Sequence, residues 1–229
     1  MKYVILVSGK IHSGKTKFCE YLKKELKNRN LQFQIEKFAG PLKDWCKQDF
    51  KPVADYLNNY VESIKTNIKV FEDVGRNPQR DAFVKNIDNM LDQLKIYDDN
   101  WYENKTELTR LILQLTGTEI YRKRVDENWW ANLMKERILQ SENSIFLNDD
   151  LRFSSENEVI QSLPQDEYKV VTIRVERNVN TKKNIAIHES ETALDDYDCW
   201  DYVVDNNGTL ETLKESVKTI IDDIGLSND

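Results

Sequence analysis

Tyr3-Val4-Ile5-Leu6-Val7-Ser8-Gly9-Lys10-Ile11-His12-Ser13-Gly14-Lys15-Thr16 is the stretch on which the fold turns. Tyr3 to Val7 runs without a polar break, the pattern of a strand buried on both faces in a parallel sheet. Gly9-x-x-x-x-Gly14-Lys15-Thr16 follows at once, and then Phe18, Tyr21, Leu22 and Leu26 fall on one helical face. A strand, a glycine loop and a helix in that order form the context of a phosphate-binding loop. Its backbone N–H groups and the helix N-terminus surround phosphates. The lysine reaches the β- and γ-phosphates, and the threonine hydroxyl ligates Mg2+. Gly9, His12, Ser13, Gly14, Lys15 and Thr16 are therefore candidate ATP-binding residues, with Lys15 also catalytic and Thr16 also a metal ligand. His12 either touches a phosphate or faces solvent.

Outward from this loop, a second strand reads through Phe33–Phe38 and stops at Ala39-Gly40-Pro41. From Leu42 to about Gln140 helical periodicity dominates, with breaks at Asn77-Pro78 and Asp98-Asp99-Asn100. Strand character returns at Ser144–Leu147, Tyr168–Val175 and Tyr202–Val204, and Gly208-Thr209 opens a last helix. Strands interleaved with helices imply an α/β fold with right-handed crossovers. The expected architecture is a three-layer α/β/α core with a five-stranded parallel sheet and a large helical insertion between strands 2 and 3. Residues 1–40 and 141–229 form the core, with a lid at about 177–197; residues 41–140 form the inserted lobe over the carboxyl edge, where such sheets bind ligands.

Composition narrows the class of protein. Of 229 residues, 39% are hydrophobic, which argues against wholesale disorder. Only seven are glycine and four proline, so the chain is helix-rich. Thirty-three basic residues against 40 acidic give a net charge of −7, which weighs against a protein built to grip nucleic acid. Cys19, Cys46 and Cys199 are odd in number and lack metal-ligand spacing, so they read as reduced thiols. No run approaches the ~18 apolar residues of a membrane span, and the expected location is the cytoplasm.

The third strand runs into Asn148-Asp149-Asp150-Leu151-Arg152-Phe153-Ser154-Ser155-Glu156. An acidic residue at this strand end completes the Mg2+ site of phosphate-loop folds, and both Asp149 and Asp150 qualify. Ser154 or Ser155 is placed to cap the next helix. Arg152, just past the strand end, suits bidentate recognition of phosphoryl oxygens and is a candidate catalytic residue.

These segments together resemble the deoxynucleoside monophosphate kinases of bacteriophages. Asp150–Glu156 looks like that family's D-x-R-[FQ]-x-x-E signature, and Phe38-Ala39-Gly40-Pro41-Leu42-Lys43 is similar to the segment after its second strand. Arg110-Leu111-Ile112-Leu113-Gln114-Leu115-Thr116-Gly117-Thr118-Glu119, then Arg122 and Trp129-Trp130, looks like its R-x-x-x-Q-x-x-G-T-[DE] block and the tryptophan after it. His188-Glu189-Ser190-Glu191 is similar to its H-x-[ST]-E element, and Asp205–Leu210 resembles its last strand-to-helix turn. The segment from about Lys47 to Trp101 carries no part of the resemblance.

The resemblance implies that Lys43, Arg110, Gly117, Trp130, Asp150, Arg152 and Glu156 line a deoxynucleotide pocket, with Asp150 also on the metal and Trp130 stacking on the base. It places Asn207 near the ATP base and His188 and Glu191 in the lid, and it implies a phage origin and a homodimer. Arg177, two residues past a strand end, is the expected transition-state clamp. The expected reaction is Mg2+-assisted transfer of a phosphoryl group from ATP to a deoxynucleoside monophosphate (dNMP), without nucleic acid or membrane as partner. The rival readings are a kinase for dephospho-coenzyme A or a nucleoside, and a phosphate-loop NTPase acting as a switch.

Overall fold

Val4, Ile5, Leu6 and Val7 are all buried, which fits β1 (Lys2–Ser8) for the middle of a sheet covered on both sides. The chain was examined as a computed structural model, which describes residues 1–46, 113–178 and 189–226. β1 pairs in parallel with β3 (Ile145–Asn148) on one side and with β4 (Tyr168–Glu176) on the other. β2 (Gln34–Ile35) extends the sheet beyond β3, and β5 (Tyr202–Asp205) extends it beyond β4. The order β2-β3-β1-β4-β5, parallel throughout, is the expected five-stranded sheet. Four strands match their expected bounds to within one residue. β2 is shorter than expected, because only Gln34 and Ile35 pair, and with β3 alone.

Side chains alternate across the pleat and recruit one helical layer on each face. Ile5 and Val7 pack with Phe18, Leu22 and Leu26 of α1 (Lys15–Asn28). Leu213, Val217 and Ile220 of the C-terminal helix (Leu210–Asp223) join the same cluster. Val4 and Leu6 point the other way, to Ala131, Met134 and Ile138 of α2 (Trp129–Gln140) and to Ile160 of α3 (Ser154–Gln161). The C-terminal helix is α4. The result is the three-layer α/β/α arrangement.

By its internal contacts the chain divides into Met1–Pro41 with Val125–Asp229, and Leu42–Arg124. This division ends the second unit at Arg124, where the sequence reading ended the inserted lobe at residue 140. Helical periodicity showed that α2 has an apolar face but not what covers it, and that face packs on the sheet. In the second unit residues 42–46 are helical, and Leu115–Arg122 forms a π-helix. No helix among the described residues is long and apolar enough to cross a membrane.

Candidate active site

The inner strands turn polar near their carboxyl ends, and the polar side chains there are buried. Ser8, Asn148 and Arg174 lie on β1, β3 and β4 respectively. Parallel register sets Ser8 opposite Arg174, whose Nη1 donates to Ser8 Oγ at 3.1 Å. Ser8 Oγ in turn donates to the Leu151 carbonyl at 3.0 Å. One chain of hydrogen bonds thus joins β4, the start of the glycine loop and the segment after β3. The Arg174 guanidinium also lies 5.5 Å from the Trp200 ring centroid and 3.8 Å from carboxylate oxygens of Glu176 and Asp195. Asp195 pairs with Lys10 of the loop at 2.8 Å. Such compensation is what lets a guanidinium remain buried.

The loop itself is shaped by close packing. A Cβ on Gly9 would meet Ser13 Oγ at 2.6 Å and the Val175 carbonyl at 2.7 Å. Gly14 has φ 91°, and a Cβ there would run into the side-chain amide of Asn206. His12 also has positive φ, at 65°, and is exposed. Ser13 is buried, and its N–H donates to the Lys10 carbonyl at 3.0 Å. Thr16 is exposed in the first turn of α1.

Lys15 is the charge at the centre of this arrangement. Burial pulls its ammonium below the usual lysine range, and the nearby Arg152 guanidinium pushes the same way, against the weaker pull of Asp150 and Asp149. Among the described residues Lys15 has no ion pair. It lines an open pocket with Ser8, Gly9, Arg152 and Arg174. Two cations drawn together beside a buried ammonium make a site that an anion relieves.

The acids beyond β3 are occupied in holding the backbone. Asp150 Oδ1 accepts from the Phe38 N–H at 3.0 Å and from Asn148 Nδ2 at 2.7 Å, and its Oδ2 accepts from the Ala39 N–H at 3.0 Å. It therefore caps the helix that starts at residue 39. Glu156 Oε2 accepts from the Arg152 and Phe153 N–H groups at 2.9 and 3.1 Å, starting α3 in place of a serine cap. Asp149 pairs with Lys37 at 2.8 Å and Lys23 at 3.8 Å. Burial pushes its carboxyl up, but the Lys37 hydrogen bond and the Lys37, Lys23 and Lys15 charges together hold it below the usual carboxylate range.

Other expected site residues fall differently. Arg177 is exposed just beyond β4, whereas the buried guanidinium on that strand is Arg174. Asn207 is exposed; its Oδ1 accepts from the Asn178 N–H at 2.9 Å, and it is the adjacent Asn206 that reaches the glycine loop. Trp130 is 6% exposed beside buried Ala131 and Met134, so its ring has almost no open face for a base in this conformation; Trp129 is half-buried. Lys43 and Gly117 lie in the second unit, Lys43 half-buried and Gly117 inside the π-helix with Leu42 packed over it. π-helical turns often accompany functional sites. Arg110, Lys182, Lys183 and His188 lie outside the described residues, as do Arg76 and Arg80. Sequence reasoning passed over Arg174, although a lone arginine inside a buried run of strand residues was the available signal.

A family model for deoxynucleotide monophosphate kinase matches residues 51–217. The matched range contains Arg110–Glu119 and Asp150–Glu156 and begins after the glycine loop. No curated protein matches the chain.

Proposed function

Because the chain belongs to the deoxynucleotide monophosphate kinase family, we propose that it transfers the γ-phosphoryl group of ATP to a dNMP, giving ADP and the deoxynucleoside diphosphate. One observation carries this reading furthest. Lys15, from a phosphate-loop sequence outside the matched range, and Arg152, from inside it, line the same pocket. Two independent signals converge on one volume of space.

The acceptor phosphate is already an anion, so no general base is needed. Its oxygen attacks the γ-phosphorus as the bond to the β,γ-bridging oxygen breaks, and ADP leaves with that electron pair. Lys15 and Arg152 neutralise charge on the transferring group, and the loop N–H groups hold the donor phosphates in line. Arg177 stays a candidate clamp from the exposed end of β4. Lys43, Arg110, Gly117 and Trp130 stay candidates for the acceptor pocket.

Mg2+ fits the residues present. It takes oxygen ligands, keeps several waters and needs only one or two protein donors beside substrate phosphates. Thr16 offers a hydroxyl, and among the described residues no group of three or more His, Cys, Asp and Glu forms a cage for a different metal. Bound there, the ion would supply charge neutralisation on the β- and γ-phosphate oxygens. The sequence reading put Asp150 on the metal, but of the two acids at this strand end Asp149 is the better candidate to reach it through water. Asp150 is committed to main-chain N–H groups, whereas the Lys37 partner of Asp149 is partly exposed and displaceable.

The test is ADP release with Mg2+ and each of the four dNMPs. Release that depends on at least one of them is the expected outcome. ATP hydrolysis stimulated by nucleic acid, with no diphosphate formed, would refute the proposal.

A further inference from the structure

The turn after β5 sends one side chain into the glycine loop. Asn206 is buried, and its Nδ2 donates to the Ser13 carbonyl at 2.7 Å. Its own backbone N–H donates to the Glu176 carbonyl at 2.8 Å, so the amide is carried by the adjacent ends of β4 and β5. The same Nδ2 occupies the place that a Cβ on Gly14 would take. Gly14 in turn holds a left-handed backbone, with φ 91°, directly before the first turn of α1.

We propose that Asn206 is a positioning residue for the donor nucleotide: its amide pins the Ser13 carbonyl outward so that the N–H groups of the loop face the phosphate chain. The physical reason is local. A loop that binds phosphate must turn its peptide N–H groups inward, which turns some carbonyls outward. An outward carbonyl buried against the end of β5 needs a donor, and Asn206 Nδ2 is that donor. The absence of a Gly14 side chain makes room for it. This assignment rests on reading the loop as the triphosphate site, and it makes Asn206 rather than Asn207 the functional residue of the turn.

The experiment measures ATP affinity by calorimetry without acceptor, alongside the dNMP KM and the thermal midpoint, in the full chain. Asn206→Asp keeps the shape but sets a carboxylate oxygen against the Ser13 carbonyl. It should weaken ATP by about tenfold or more, the worth of one buried hydrogen bond, while the dNMP KM stays within about twofold. Asn206→Ala, which leaves space for a water to donate instead, should lose less. An N206D variant with native ATP affinity overturns the inference. So does an affinity loss no larger than in N206A, or one matched by an equal change in the dNMP KM, because a role confined to folding would act on both nucleotides. If N206D does not fold, N206A decides: unchanged ATP affinity there overturns the inference. Wild-type protein that binds ATP through Asn206 but phosphorylates no dNMP defeats the proposed reaction and leaves this inference standing. Wild-type protein that binds no ATP defeats both.

Discussion

Two neighbouring strands, β1 and β3, end in segments rich in polar groups, and the segments use those groups in opposite ways. After β1, the glycine loop ties its side chains and carbonyls to the surrounding strands and leaves Lys15 facing a pocket without an ion pair among the described residues. After β3, Asp150 and Glu156 turn their carboxylates back onto backbone N–H groups and start two helices. Between them, Leu151 and Arg152 line the pocket, and Arg152 brings the charge. The difference teaches that a charged residue within a motif can serve by shaping the frame rather than by meeting the ligand. In the acidic segment the Glu156 carboxylate fixes the backbone of Arg152.

The comparison breaks most visibly at Lys15. Lys15→Ala should lower the transfer rate on the order of 10³-fold with dNMP affinity nearly intact, as steady-state kinetics would reveal. An active variant would place the transition-state charge elsewhere. Next is Asp150→Ala, whose effect should appear first in folding. Loss of three hydrogen bonds to a half-buried carboxylate should cost about 2–3 kcal/mol in urea unfolding. Normal stability with lost activity would instead make Asp150 a metal or substrate ligand. Glu156→Ala should cost about 1–2 kcal/mol by the same measurement, the range for removing a helix N-terminal acceptor.

The smallest effect concerns Asp149. Its carboxyl titrates below its unfolded value of about 3.9, so its contribution to stability is present above that pH and is lost as pH falls through the folded value. Asp149→Asn should therefore flatten the acid limb of the stability curve below about pH 4 and leave its slope near neutrality unchanged. An unaltered acid limb would show that the Lys37 and Lys23 pairs contribute nothing in solution.

Much of the frame was readable from periodicity. Tyr3–Val7 reads as a doubly buried strand because its five residues run without a polar break, are rich in β-branched and aromatic types, and stop at a glycine loop. The helix after Gly14 follows from the spacing of Phe18, Leu22 and Leu26. The site was legible in part. Lys15 and Arg152, which line one pocket, were singled out because each stands at a loop or strand end that sequence marks. Arg174 was missed and Arg177 preferred, since proximity to a strand end was read along the chain rather than across the sheet. Asn207 was preferred to Asn206 for a similar reason. One residue of offset at a turn changes which side chain points inward, and no local pattern reports it. Trp130 was chosen over Trp129 for the ligand, and it is the more buried of the two.

The sequence by itself determined the parallel sheet and marked Gly9–Thr16 as an expected phosphate loop, with a basic residue of Asp150–Glu156 expected beside it. Those are short-range properties, set by neighbours within a few residues. Tertiary structure alone decided which strand ends meet, and therefore that Arg174, Ser8 and Leu151 form one chain of hydrogen bonds and that Asn206 closes over Gly14. Those partners lie 166, 143 and 193 residues apart along the chain. Register between strands brings them together, and register is fixed by burial of both sheet faces at once.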